Sequence, residues 1–124
     1  MKGLKALVAV AVAAGLLTLA APASAEAAAY KHYVGCGTSR NAKPADVCPR
    51  SSKKGAFFES LKADVVYTVC VRFPSGKSLC AHAQKAEKGL LYVNKITSTI
   101  PGRHRVTWFV KGKKVGTSFF RVKS

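Results

Sequence analysis

The sequence predicts an all-β domain, a small antiparallel β-sandwich of six or seven short strands held by two disulfides. Three observations carry that expectation. Apolar and polar residues alternate with a period of two along several short runs, clusters of Gly, Pro and Ser separate those runs, and four cysteines lie downstream of a leader-like N-terminus. No helical period runs far enough to trust; Ala83 to Lys88 is at most a single turn.

The chain opens with Lys2 and Lys5, continues with an apolar run from Ala6 to Ala21, and reaches Pro22-Ala23-Ser24-Ala25. A basic start, an apolar middle and a small-x-small exit are the three parts of a secretory signal peptide. The run is Ala-rich and short of the roughly 20 strongly apolar residues that a membrane span needs, which disfavours an uncleaved anchor. Cleavage is expected after Ala25, with Ala25-Glu26-Ala27 a second site two residues on. No cysteine near the cut invites a lipid and no twin arginine precedes the run. The expectation is thus a Sec-type leader over residues 1–25 and one extracellular domain over residues 26–124, with no transmembrane anchor. Losing Lys2 and Lys5 lowers the formal charge from +16 to +14.

Tyr30 to Val34 reads as a short first strand, Gly35 to Gly55 as loop, and Ala56 to Leu61 as a second strand. From Asp64 the alternation is clean, with Val65, Tyr67, Val69, Val71 and Phe73 on one face and Val66, Thr68, Cys70 and Arg72 on the other. Pro74-Ser75-Gly76 suits a three-residue hairpin loop, because Pro presets φ for a type I turn and Gly takes the left-handed position. Phe73 then faces Lys77, and the returning strand puts Leu79, Ala81 and Ala83 on the Val71 side and Cys80, His82 and Gln84 on the Cys70 side.

Gly89 to Thr97 supplies another strand, whose inward set is either Leu90, Tyr92 and Ile96 or Leu91 and Val93. After the Ile100-Pro101-Gly102 turn, Val106, Trp108 and Val110 alternate against Arg103, Arg105 and Thr107. Phe120 and Val122 offer the matching apolar pair on the last strand. A three-residue loop, Gly112-Lys113-Lys114, brings Val106 opposite Phe120 and Arg105 opposite Arg121. A two-residue Gly112-Lys113 loop is better turn chemistry but turns Phe120 and Val122 outward, so burial favours the first register.

An even number of cysteines in a short exported chain reads as a disulfide framework. In the hairpin register Cys70 meets Cys80 at a non-hydrogen-bonded pair, where Cα atoms lie about 4.5 Å apart and a cross-strand bridge is in reach. Cys36 and Cys48 pair by elimination. His32, Cys36, Cys80 and His82 contain two ligand-like pairs, but their spacing fits no zinc-finger pattern, and export favours oxidised thiols over metal or a catalytic thiolate.

The stretch Gly102-x5-Trp108-x3-Gly112-x2-Val115-Gly116-x2-Phe119, followed by Phe120-Arg121-Val122, resembles the closing strand pair of bacterial extracellular immunoglobulin-like domains. It covers about a fifth of the chain. The resemblance implies a sandwich of adhesive or accessory type and brings no catalytic residues with it. Trp108 in the penultimate strand and two sequence-local bridges depart from the antibody-type pattern, in which a disulfide joins the two sheets.

Beyond the leader the acids are Glu26, Asp46, Glu59, Asp64 and Glu87, and the histidines are His32, His82 and His104. No nucleophile-elbow, zinc-protease or Ser-x-x-Lys motif is present, so no catalytic residues, cofactor, metal or small-molecule substrate are expected. His82 and His104 read as surface or edge residues, and Trp108 as core.

Charge is the distinguishing feature. After Glu87 no acid occurs, while Lys88, Lys95, Arg103, Arg105, Lys111, Lys113, Lys114, Arg121 and Lys123 supply nine cations. Like charges across a ladder repel, and a fold that tolerates them is suited to attract a polyanion. The expected function is a monomeric, non-catalytic module that binds an anionic envelope or extracellular polymer through Arg103, Arg105, Lys111, Lys113, Lys114, Arg121 and Lys123. The alternatives are a secreted inhibitor or toxin-like protein presenting the stapled loop Gly37 to Val47, and an adhesion domain with a protein partner. Solubility and edge protection compete with all of these as uses of the charge.

Overall fold

The computed structural model describes residues 29–124. The leader expected over residues 1–25, its cut at Ala25, and Glu26 lie outside them. Nine strands follow in order: β1 (Tyr30–Gly35), β2 (Val47–Cys48), β3 (Lys54–Ser60), β4 (Val65–Arg72), β5 (Ser78–Cys80), β6 (Gln84–Ala86), β7 (Leu91–Ile96), β8 (Gly102–Val110) and β9 (Lys113–Val122). Sheet A has the order β1-β3-β7, and sheet B the order β2-β9-β8-β4-β5, with β6 beside β4. Cys70 and Tyr67 each pair β8 on one side and β5 or β6 on the other, so β5 and β6 share one edge of β4. Among the described residues no helix is long and apolar enough to cross a membrane.

The expected sandwich is present, and two short strands go beyond the sequence reading. β2 and β6 hold two and three residues, too few to show alternation. β2 also runs parallel to β9, in a fold otherwise paired antiparallel. Backbone bonds from Arg121 N to Asp46 O (2.7 Å) and from Lys123 N to Cys48 O (3.1 Å) hold it there.

Between the sheets lie Tyr67, Val69 and Val71 of β4, Val106, Trp108 and Val110 of β8, and Phe120 and Val122 of β9, facing Val34, Ala56, Phe58 and Ile96. Tyr92 and Ile96 settle the face of β7: Tyr92 packs on the core and Val93 is exposed. Tyr67 donates its hydroxyl proton to Asn94 Oδ1 (2.7 Å), and Asn94 Nδ2 donates to Gln84 Oε1 (3.0 Å). Burial pushes the Tyr67 pKa up to about 12.

The register puts Leu79 on the Val71 side as expected, yet Leu79 is 67% exposed although Val71 opposite is buried. β5 is an edge strand, and Leu79 stands at the mouth of a crevice lined by Val69, Val71, Phe73 and Ile96 instead of inside the core. The turn itself is as read. Phe73 N donates to Lys77 O (2.8 Å), and Gly76 takes φ +95°.

Both bridges form as expected, Cys70–Cys80 with Cα atoms 4.0 Å apart and Cys36–Cys48 with 5.4 Å. The second is local in sequence but crosses the sandwich, joining the end of β1 in sheet A to β2 in sheet B. All four sulfurs are thus committed, which removes the zinc and thiol readings of Cys36 and Cys80.

The last hairpin takes neither register weighed from sequence. Its loop is Lys111-Gly112, with φ +53° and +78° at the two central residues, the signature of a type I′ turn. The register then shifts by one between Trp108–Gly116 and Phe109–Lys114, leaving Val115 as the extra residue of a β-bulge. The bulge reconciles the two demands that sequence set against each other: a two-residue turn, and Phe120 and Val122 in the core. Trp108 is buried between the sheets, stacked on His32 at 4.9 Å between ring centroids, and Gly116 opposite it leaves room for the imidazole.

Candidate functional site

The pleat of β8 and β9 sends Arg103, Arg105, Thr107 and Phe109 to the outer face of sheet B, together with Lys114, Thr117, Phe119 and Arg121. The observed register corrects the pairing of the cations. Arg105 stands opposite Phe119, not Arg121, and Arg121 stands opposite Arg103. On its other side Arg105 meets Arg72 of β4. One row across the sheet is therefore Arg72-Arg105-Phe119, and the adjacent one is Arg103-Arg121-Val47. Lys85 lies opposite Val66 on the same face, which carries Arg72, Lys85, Arg103, Arg105, Lys114 and Arg121 and no acid among its paired residues.

Two residues of the expected stripe, Lys111 and Lys113, stand apart, while Lys123 follows the last ladder pair and borders a shallow depression with Arg121. Lys111 is at the turn tip. Lys113 pairs with inward-facing Val110, so it leaves β9 on the side opposite Lys114.

The sequence reading missed Arg72 and the two phenylalanines. Alternation had placed Arg72 on the Cys70 face, so a register joining β4 to β8 was the one datum lacking. Phe119 was legible as outward once Phe120 was assigned to the core. It is 45% exposed, and the guanidinium carbon of Arg103 lies 4.0 Å from its ring centroid, within the range of a cation–π contact. Phe109 and Phe119 border one open depression with Arg105, Thr107, Lys114 and Thr117. A second cleft of about 580 Å³ rounds the seam where β9 meets Tyr33 and residues 44–47, with Arg103 and Arg121 on its rim.

His104 corrects a sequence expectation: it is fully buried, stacked on Phe120 at 4.6 Å with Phe73 edge-on. The Gly102 carbonyl can only accept, so His104 Nδ1 (3.1 Å) carries the proton and Nε2 accepts from the Ser98 hydroxyl (2.7 Å). This serine–histidine pair resembles a nucleophile and base, but Ser98 is buried too, and its Oγ accepts a proton from Ile100 N (3.3 Å). Burial lowers the His104 pKa, and the ammonium of Lys54, itself buried with Nζ 3.0 Å from Arg50 O, lowers it further. The pair satisfies its own hydrogen bonds inside the core, where a substrate cannot reach it. His82 is exposed, two residues beyond Cys80.

The stapled segment of the inhibitor reading folds back on sheet A. Ala45 N donates to Val34 O (2.8 Å), and Gly35 bridges Pro44.

The sequence matches no protein-family model and no curated protein. Its backbone is similar to the crystal structure of an immunoglobulin-like protein of Pseudomonas aeruginosa, with a TM-score of 0.53 and 17% identity over 76% of this chain and 91% of that one. It also aligns with Pseudomonas fluorescens alkylpurine DNA glycosylase AlkC bound to DNA containing an abasic-site analogue. There the TM-score is 0.40 and the identity 18%, over 77% of this chain and 31% of that one, a likeness too loose to carry an argument. The fold is an immunoglobulin-like β-sandwich with two disulfides, as the closing strand pair implied.

Proposed function

We propose that this protein is exported by a leader over residues 1–25 and works outside the cell as a non-catalytic module that holds an anionic polymer on the outer face of sheet B. The observation that carries this reading is the row arrangement. Arg72 beside Arg105, and Arg103 beside Arg121, set like charges across neighbouring strands, a placement that costs stability and concentrates positive potential on one surface. Two disulfides fit an oxidising compartment.

Co-sedimentation of the oxidised protein with intact and polyanion-stripped bacterial walls, over a series of salt concentrations, tests it. Binding that falls steeply with salt and vanishes on stripping supports the reading, because displaced counterions make such binding salt-dependent. Absence of binding at low salt would return the charge to a role in solubility.

A further inference from the structure

We infer that the polymer this face takes is a single-stranded nucleic acid, its phosphates met by the arginines and its unpaired bases stacked on Phe119 and Phe109. The inference rests on the reading just given and narrows it by a feature that charge attraction leaves unexplained, namely aromatic rings set among the cations. Phe119 lies in the row of Arg72 and Arg105, and Phe109 opposite Lys114. A side chain in an outer row is not needed by the core, and a phenyl ring there exposes apolar surface to water at a cost. Phe119 is nonetheless 45% exposed.

The ladder fixes the spacing. Phe109 is four residues from Arg105 along β8, and Phe119 stands opposite Arg105 on the next strand, so the two Cα positions are roughly 14 Å apart on one pleated surface. Thr107 and Thr117 pair between them and give the depression a polar floor. Arg103, 4.0 Å from the Phe119 ring centroid, adds a planar cation to that platform. Phenyl rings and guanidinium planes are the surfaces on which unpaired bases stack.

The chemistry separates the polymers. A duplex keeps its bases stacked on one another and shows this face only phosphate. Envelope phosphopolymers and acidic polysaccharides bring charge without flat π-faces. A single strand brings both, and stacking is tolerant of sequence because every base has a π-face.

Fluorescence anisotropy of the full oxidised chain with labelled oligothymidylate, oligouridylate and a DNA duplex of equal length, at one salt concentration and with inorganic polyphosphate as competitor, tests this. Both single strands should bind more tightly than the duplex, and Phe119→Ala and Phe109→Ala should each weaken them roughly 5- to 100-fold. The affinity for polyphosphate obtained from the competition should be unchanged in both variants. Phe119→Leu keeps apolar bulk and should lose most of the same affinity, and an unchanged thermal midpoint shows that the fold is intact. A preference between thymidylate and uridylate points to the source of the strand, equality leaves both sources, and either result supports the inference. Equal affinity for duplex and single strand, or an unaltered affinity in both alanine variants, overturns it. Polyphosphate binding with no ring effect sinks this inference alone; no binding of any probe at low salt sinks the basic-face reading with it.

Discussion

The Arg103 guanidinium carbon lies 4.0 Å from the ring centroid of Phe119, two residues along β9 from Arg121, the like charge that stands directly opposite Arg103. The ring offers Arg103 an attraction on one side while Arg121 repels it on the other. Replacing Arg121 by Gln removes the repulsion and should leave stability unchanged or raise it by about 0.2–1 kcal/mol, read from urea denaturation. The same variant should bind polyanion more weakly, with the slope of log affinity against log salt reduced by about 1 if Arg121 meets one phosphate. Unchanged affinity and slope would remove Arg121 from the binding face.

Lys111 adopts φ +53° at the first central position of the type I′ turn, where Asn, Asp or Gly is the favoured residue. A left-handed conformation costs a side chain of this kind about 1–2 kcal/mol, a cost that Asn partly escapes. Lys111→Asn should therefore raise the denaturation midpoint by the equivalent of about 1 kcal/mol. If the lysine serves the anionic polymer, affinity should fall in the same variant. A gain in stability with undiminished binding would leave the lysine without a role at the surface.

Gly116 is open to a direct test, because a Cβ there would run into the imidazole of His32, which is stacked on Trp108. Gly116→Ala should cost about 1–3 kcal/mol through overpacking. Removing the obstacle with His32→Ala should recover much of that loss, giving a clear coupling in a double-mutant cycle. Additive losses would mean that the glycine is needed for its backbone alone.

The difference between these positions also marks what the sequence could show. The hairpin from Cys70 to Cys80 was legible because its register follows from one local turn, Pro74-Ser75-Gly76, and its bridge from that register. The last hairpin was not, because the bulge at Val115 answers two demands from different scales, turn chemistry at Gly112 and burial of Phe120. Local alternation placed Leu79 on the Val71 side, where the register has it, but its exposure depends on β5 being an edge strand. His104 reads as an edge residue until Ser98 and the Gly102 carbonyl are seen to satisfy both ring nitrogens. The cations of the candidate face could be counted from sequence. Their rows, and the addition of Arg72, required the pairing of β4 with β8.

The two disulfides should differ in resistance to reductant. Cys80 is exposed at a sheet edge, whereas Cys48 is fully buried beneath the pairing of β2 with β9. Their sequence separations of 10 and 12 give similar chain-entropy contributions, of about 2–4 kcal/mol each, so access decides the order. Graded dithiothreitol followed by alkylation and peptide mass spectrometry should find Cys70 and Cys80 labelled first, with Cys36–Cys48 still closed. Simultaneous labelling of all four would show that reduction proceeds through global unfolding.

Stability should also depend on pH in one direction across the histidine range. Burial holds both His32 and His104 below the ordinary imidazole pKa of 6.5, with the Lys54 ammonium adding to the effect on His104. The unfolded chain therefore binds more protons than the folded one as pH falls below 6.5, and linkage makes stability decline there. Well above 6.5 both states hold neutral rings and these two groups contribute almost no slope. Urea midpoints should thus be level between about pH 7 and 8, and should drop on acidification through 6.5 toward the lowered folded values. His104→Gln can still donate to the Gly102 carbonyl and accept from Ser98, and cannot titrate. Whatever its overall stability, its midpoint should fall less steeply below pH 6.5 than that of the parent. A parent midpoint that stays level from pH 7 to pH 5 would mean that the two rings are not held neutral by the core.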